Sequence, residues 1–420
     1  MSAEVLAWAS IIALVIAIII SCVTSLNIGF LAIAFAFIVG VIFGGMKVAD
    51  VLEGFPVKLF VMLIGVSYLF SLAQGNGTLE KVTKYFIRSV RGRVAFLPIM
   101  YFAIAFALSS IGPGSIPITA LLAPPALLTA YEMGISPFLM SLMLIYGGIG
   151  GALSPIATGG VITNGIVAQL GLPYMGDKIF LSMIIASTVL AAVAYILFGG
   201  FKLLREKKIL PTSQMLVEKF TPIQILTVAG IGLLVFAVIF LKLDVGLMAL
   251  SIGVVLSVLD RKTQSKAIKS MPWSTILLVT GVTVLIGLMS KLGGTDLIAS
   301  GISSVSNPAT IALTMSFTAA LISVYASTAV VWTTFLPLVP VVLINLGGGN
   351  PVPLLLSIVV AGTLVDASPL STLGALALAS APEKVDKNRL YRNLMIWGLG
   401  MCVLGSVMSW FLFSVLNVFS

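Results

Sequence analysis

Histidine is absent from this sequence of 420 residues, cysteine occurs twice, and charged residues make up only 9% of it. Each scarcity excludes something. Without histidine there is no Ser-His-Asp triad, no HExxH zinc site and no histidine proton relay. The two cysteines, Cys22 and Cys402, both lie inside apolar runs, which excludes a cysteine metal cluster and a disulfide framework. A soluble globular protein carries about 25% charged residues. With 59% hydrophobic residues, no soluble fold could cover the apolar surface of this chain. The sequence therefore reads as an all-α polytopic membrane protein. Its net charge of +9 fits basic cytoplasmic loops better than nucleic-acid binding. Met1 to Leu6 contains no Lys or Arg, and the apolar run that follows is already long enough to span, so the start does not read as a cleaved signal.

A span needs about 20 apolar residues. Ten candidates read off, at 5–22, 27–45, 57–73, 137–170, 178–199, 222–241, 243–259, 272–290, 352–380 and 392–416, the fourth and ninth broken in the middle. Two further stretches, 94–131 and 308–345, each hold two shorter apolar runs around a polar tip. An arm of about 16 residues reaches only ~24 Å, short of the ~30 Å hydrocarbon core. Both stretches read as re-entrant helical hairpins. Placing the loops 74–93, 200–221, 260–271 and 381–392 inside puts 18 of the 23 basic residues on the cytoplasmic face of an inner (plasma) membrane. Lys47, Lys58, Lys178, Lys242 and Lys291 then lie outside, as do both termini.

The halves resemble each other. Ile64-Gly65-Val66-Ser67 pairs with Thr280-Gly281-Val282-Thr283, Gly77-Thr78 with Gly294-Thr295, and Pro124 with Pro337. The most specific match is Ser154-Pro155-Ile156-Ala157-Thr158-Gly159-Gly160 against Ser368-Pro369-Leu370-Ser371-Thr372-Leu373-Gly374, at a spacing of 214. The expected organisation is two inverted repeats, 1–199 and 222–420, joined by a cytoplasmic linker at 200–221. Each repeat holds five spans, one of them broken, and one hairpin. An odd number of crossings inverts the second repeat. The basic stretch 78–91 and its counterpart at 294–306 read as amphipathic helices at opposite faces, with Leu79, Val82, Phe86 and Val90 against Lys81, Lys84, Arg88 and Arg91 in the first.

Pro and Gly at the centre of a span unwind it, and bare backbone at that depth is tolerated only beside a cavity or packed protein. The N-terminal end of a half-helix presents N–H groups to an anion, and its C-terminal end presents carbonyls to a cation. A plainer reading of one break alone is a kinked helix whose hydroxyls bond their own carbonyls. Four such segments, paired between halves, point to binding. Asp366 stands out because the other acids map to loops or span ends. A carboxylate at the bilayer centre costs about 2.5–3.5 kcal/mol on insertion scales and marks function by default. Its repeat mate is Ala152. No Lys or Arg falls in a span core, so an anion must be held by hydroxyls, backbone N–H groups and co-bound cations. This favours sodium over protons as the coupling ion; protons could enter through Asp366 or the substrate.

Gly54-Phe55-Pro56, Tyr68-Leu69-Phe70, Asn76-Gly77-Thr78 and Val90-Arg91-Gly92-Arg93, with the two Ser-Pro segments and Ile162-Thr163-Asn164, resemble the MatC-type malonate/C4-dicarboxylate carrier family. That family lies within the ion transporter superfamily. The resemblance implies a homodimer with scaffold and transport units, elevator-type alternating access, and no resident cofactor apart from transported sodium. It implies substrate contacts at Ser110, Gly114, Ser115, Ser154, Pro155, Thr158, Asn164, Ser327, Thr328, Ser368, Pro369, Ser371 and Thr372. It implies sodium contacts at Ser109, Gly112, Thr158, Gly160, Thr328, Asp366 and Thr372. The Ser-Asn-Thr tip of the sodium–dicarboxylate symporters is replaced here by Gly112-Pro113-Gly114-Ser115 and Ala326-Ser327-Thr328. The expected function is cation-coupled symport of a small carboxylate anion such as malonate or a C4-dicarboxylate. The alternatives are a proton-coupled organic anion carrier and the membrane subunit of a tripartite carrier that uses a periplasmic binding protein. An enzyme is not expected, because one deep carboxylate supplies no nucleophile–base pair.

Overall fold

The computed structural model describes residues 2–24, 26–89, 94–206, 219–304, 306–324 and 327–419. Val90 to Arg93, most of the 200–221 linker and the tip residues Tyr325-Ala326 lie outside this set, as do the side chains of Lys84, Phe86 and Arg88. The regular structure among the described residues is all helical. The first ten helices are α1 (Ala3–Thr24), α2 (Ile28–Ala36), α3 (Val48–Leu52), α4 (Val57–Gly75), α5 (Thr78–Ser89), α6 (Leu97–Ser110), α7 (Ser115–Met133), α8 (Pro137–Ala152), α9 (Thr158–Gln169) and α10 (Gly176–Leu197). A short α11 (Gly200–Glu206) follows. The remainder are α12 (Pro222–Ile239), α13 (Val245–Leu259), α14 (Arg261–Ser270), α15 (Trp273–Lys291), α16 (Gly294–Ser304), α17 (Ile311–Ser323), α18 (Thr328–Phe335), α19 (Leu338–Asn345), α20 (Pro351–Leu364), α21 (Thr372–Ser380) and α22 (Lys387–Trp410). The order of α1 to α10 recurs in α12 to α22, with α18 and α19 together taking the place of α7.

Local chemistry sets many of the ends. The Asn27 side chain accepts from the Gly29 N–H to cap α2, and Asp244 caps α13 in the same way from Gly246 and Leu247. Pro137, Pro222 and Pro351 open α8, α12 and α20, where a missing N–H is harmless. Gly134 ends α7 in the left-handed conformation, with φ of 70°.

Among the described residues, seven helical segments are long and apolar enough to cross a membrane, α20 with α21 counting as one, or eight if α18 and α19 form one bent span. This differs from the ten spans expected. α2 reaches Phe43 only through a π-helical stretch, and α13 has only 15 residues. The span read at 137–170 is broken in the middle as expected, into half-helices of 16 and 12 residues. The first hairpin also differs: α7 runs unbroken for 19 residues despite Pro124 and Pro125 at its centre, so its arm is longer than expected. In the second, α18 and α19 meet at a 43° bend where Pro337 cannot donate to the turn before it.

The helices pack in two sets. α1, α2, α4, α12, α13 and α15 pack on one another, with α4 against α13 and α15 against α2. α6, α8, α10, α17, α20 and α22 form the other set, with the hairpin arms and the half-helices α9 and α21. The sets meet where α4 touches α9 and α15 touches α18. Two crossings in the first set are glycine on glycine. A Cβ at Gly65 would lie 1.9 Å from the Gly246 carbonyl oxygen, and one at Gly281 would lie 2.2 Å from that of Gly29. Gly65 and Gly281 are mates in the sequence repeat, so one backbone contact is built twice with the halves exchanged. In the second set α8 is buried from Phe138 to Ala152, and α20 is buried along nearly all its length. Protein therefore surrounds both helices that break, which is the condition for unwound backbone at membrane depth.

Candidate functional site

Each break follows from its heptad. After α8 the backbone turns through Leu153 to Ala157, and α9 starts at Thr158. The turn folds the Ser154 carbonyl back over the new helix: a Cβ at Gly160 would sit 1.9 Å from that oxygen. Gly374 stands in the same relation to the Ser368 carbonyl, at 2.1 Å. The terminal Gly of the Ser-Pro-x-x-Thr-x-Gly pattern is thus a packing requirement, and Gly160 is occupied by Ser154.

The hairpin tips dock against the breaks, differently in the two halves. In the first half the Gly112 carbonyl accepts from the Thr158 N–H at 3.0 Å and from its hydroxyl at 3.1 Å. Gly112 has φ of 153°, and a Cβ there would meet the Phe70 ring. In the second half the link is a carboxylate. Asp366 Oδ1 accepts from the Thr328 hydroxyl at 2.6 Å and from the Ser371 hydroxyl at 2.9 Å. Asp366 is 7% exposed.

One cavity lies between these contacts. It is lined by Gly114 and Ser115 at the start of α7, Thr158 and Gly159 at the start of α9, Ser327 and Thr328 at the start of α18, and Ser371 and Thr372 at the start of α21. Four helix N-termini therefore surround it, each presenting amides without intrahelical acceptors and a positive partial charge. Asp366 is the charged residue of the lining. Such a space suits an anion held by amides and hydroxyls, with a cation beside the carboxylate.

Eight candidate residues meet here: Gly114, Ser115, Thr158, Ser327, Thr328, Asp366, Ser371 and Thr372. The others do not line the cavity. Ser110 donates to the Phe106 carbonyl in its own helix, and Ser109 is fully buried behind it. Gly112 contributes its carbonyl to Thr158. Ser154 and Pro155 lie in the first turn segment and Pro369 in the second. The Ser368 hydroxyl accepts from the Leu370 N–H. Asn164 lies further down α9, and its amide atoms are buried with no partner among the described residues. Sequence reasoning passed over Ala152, Pro272, Thr275, Trp332 and Thr363, which also line the cavity. Pro272 had a signal, since it precedes α15 as Pro56 precedes α4.

The Thr158 contact gives a direct test. Thr158→Val keeps the shape and loses the bond to Gly112, so it should lower stability by about 1 kcal/mol. Ser110→Ala, which removes only a bond within one helix, should be near neutral. Thermal unfolding of the two variants in detergent separates these outcomes.

Fold and cavity together define a multi-pass helical membrane protein whose broken helices enclose a buried site. Residues 1–152 match the family described as dicarboxylate carrier protein MatC N-terminus, so the resemblance read from the sequence is met over that part of the chain. In three dimensions the chain is similar to the crystal structure of the Alcanivorax borkumensis YdaH transporter, described as having an unusual topology. The TM-score is 0.61 at 15% identity, covering 88% of this chain and 87% of that one. No curated protein matches the sequence.

Proposed function

We propose that the protein is a cation-coupled secondary carrier of small dicarboxylates, malonate or a C4 acid, working by elevator-type alternating access between two inverted repeats. The observation that carries this reading is the convergence of four helix N-termini on one cavity whose charged residue is Asp366. The amide-rich ends and hydroxyls take the carboxylates of the substrate. Asp366, already holding Thr328 and Ser371, takes the coupling cation, and Na⁺ fits this set of oxygen ligands. The two packing sets supply a fixed scaffold and a moving unit. The MatC family name and the transporter fold support the substrate class and the mode of action.

The test is uptake of radiolabelled malonate and succinate into proteoliposomes, with Na⁺ and pH gradients imposed separately. An inward Na⁺ gradient should drive accumulation of at least one acid, and a pH gradient alone should not. No uptake of either acid under any gradient would sink the reading.

A further inference from the structure

The two packing sets share the cavity unequally. Its lining residues lie on the hairpins, the broken helices and their breaks, except for Pro272 and Thr275. Those two belong to α15, a helix of the set read as the scaffold. They stand at its start, directly after the basic helix α14 with Arg261, Lys262, Lys266 and Lys269. On the orientation set by the basic loops, this is the cytoplasmic end of α15. The first hairpin agrees, since its tip at Gly112 packs on Phe70, in the cytoplasmic half of α4. So does the packing between the sets. α4 packs on α9 and α15 on α18, and on the same orientation both α9 and α18 run outward from the cavity. The moving unit is therefore displaced toward the cytoplasm, with its site at the inner end of the scaffold.

Thr275 has a hydroxyl to spare there. On the same helix Thr280 and Thr283 donate theirs to the carbonyls of Ile276 and Val279, one turn earlier. Thr275 is in the first turn and has no helical turn behind it, and its hydroxyl has no hydrogen-bond partner among the described residues. Half-buried at the cavity wall, it is left for whatever fills the cavity. The matching place on α4 is Leu59, because Pro56, Gly65 and Ser67 stand 216 residues before Pro272, Gly281 and Thr283. Leu59 is buried against α9, where a Cβ at Gly165 would lie 2.8 Å from one of its methyl carbons. Gly165 is seven residues past Thr158, about 10 Å along the helix. An outward slide of that length would carry the site from Thr275 to the level of Leu59. The scaffold thus offers the site a hydroxyl at the inner station and a hydrocarbon at the outer one.

We infer that Thr275 is a one-sided substrate contact, a hydroxyl of the fixed unit that donates to a substrate carboxylate only while the site faces the cytoplasm. The inference rests on the carboxylate-carrier reading above. The carrier then holds its anion more tightly on the cytoplasmic side than on the outer one.

Membrane vesicles of both orientations, inside-out and right-side-out, test this with malonate and succinate as probes. Thr275→Val keeps the shape and loses the donor. It should raise the half-saturating concentration about tenfold when the acid meets the cytoplasmic face, and by less than about twofold when it meets the outer face. Thr275→Ser keeps a hydroxyl and should return the cytoplasmic value to within about twofold of the wild type. Equal shifts at both faces, or no shift at the cytoplasmic face, overturn the inference and leave the carrier reading intact. So does a Thr275→Ser protein that behaves like Thr275→Val. A wild-type protein that takes up neither acid from either face overturns both.

Discussion

Asp366→Asn is expected to abolish Na⁺-driven uptake, by about a hundredfold or more, while leaving the protein at least as stable as the wild type. The asparagine oxygen can still accept from Thr328 and Ser371, so the hairpin tip stays docked. Only the charge is lost. A charged ligand to a bound cation contributes about 3 kcal/mol, and each 1.4 kcal/mol is a factor of ten in affinity. Stability moves the other way, because a buried carboxylate at membrane depth costs about 2.5–3.5 kcal/mol that the amide largely escapes. Uptake with an imposed Na⁺ gradient and thermal unfolding, measured on one preparation, read both effects. Retained coupling would remove Asp366 from the site, and a collapse in stability would make it a structural anchor.

Gly65→Ala is expected to have the largest structural effect of any single methyl added to the scaffold. The new Cβ would lie 1.9 Å from the Gly246 carbonyl oxygen, and backbone has no rotamer into which it can retreat. Overpacking costs about 1–3 kcal/mol where side chains can yield, and more is expected here. The α4–α13 crossing must then open, and the variant should express poorly or elute as aggregate in detergent. Gly232→Ala is the control, since nothing lies within 4 Å of the added atom. Equal behaviour of the two variants would mean that the α4–α13 contact does not hold the scaffold together.

The helix breaks were legible because Ser-Pro-x-x-Thr-x-Gly is a local pattern whose cause is local, a proline that cannot donate and a glycine under a folded-back carbonyl. The hairpin tips were legible for the same reason, as polar interruptions of apolar runs, the first of them rich in glycine. Which hydroxyl faces the cavity was not. Thr158 and Thr372 begin half-helices and reach it, whereas Ser154 and Ser368 sit one turn earlier and point into packing. That difference depends on where the second half-helix starts, and one residue decides it. The glycine crossings were hidden for another reason. Gly65 and Gly246 are far apart in sequence, and nothing near either one announces its partner. Pro124-Pro125 misled in the opposite direction. They mark a place where a helix should break, yet packing around α7 keeps it whole, whereas the single Pro337 bends its own arm.

Asp366 and Ala152 occupy matching places in the repeat, and both line the cavity. Had the halves stayed identical, the site would hold either two carboxylates or none. On the proposed cation-coupled function, a single departure from internal symmetry gives the coupling carboxylate to one half only, and moving it to position 152 would place the same charge in the mirror-image position.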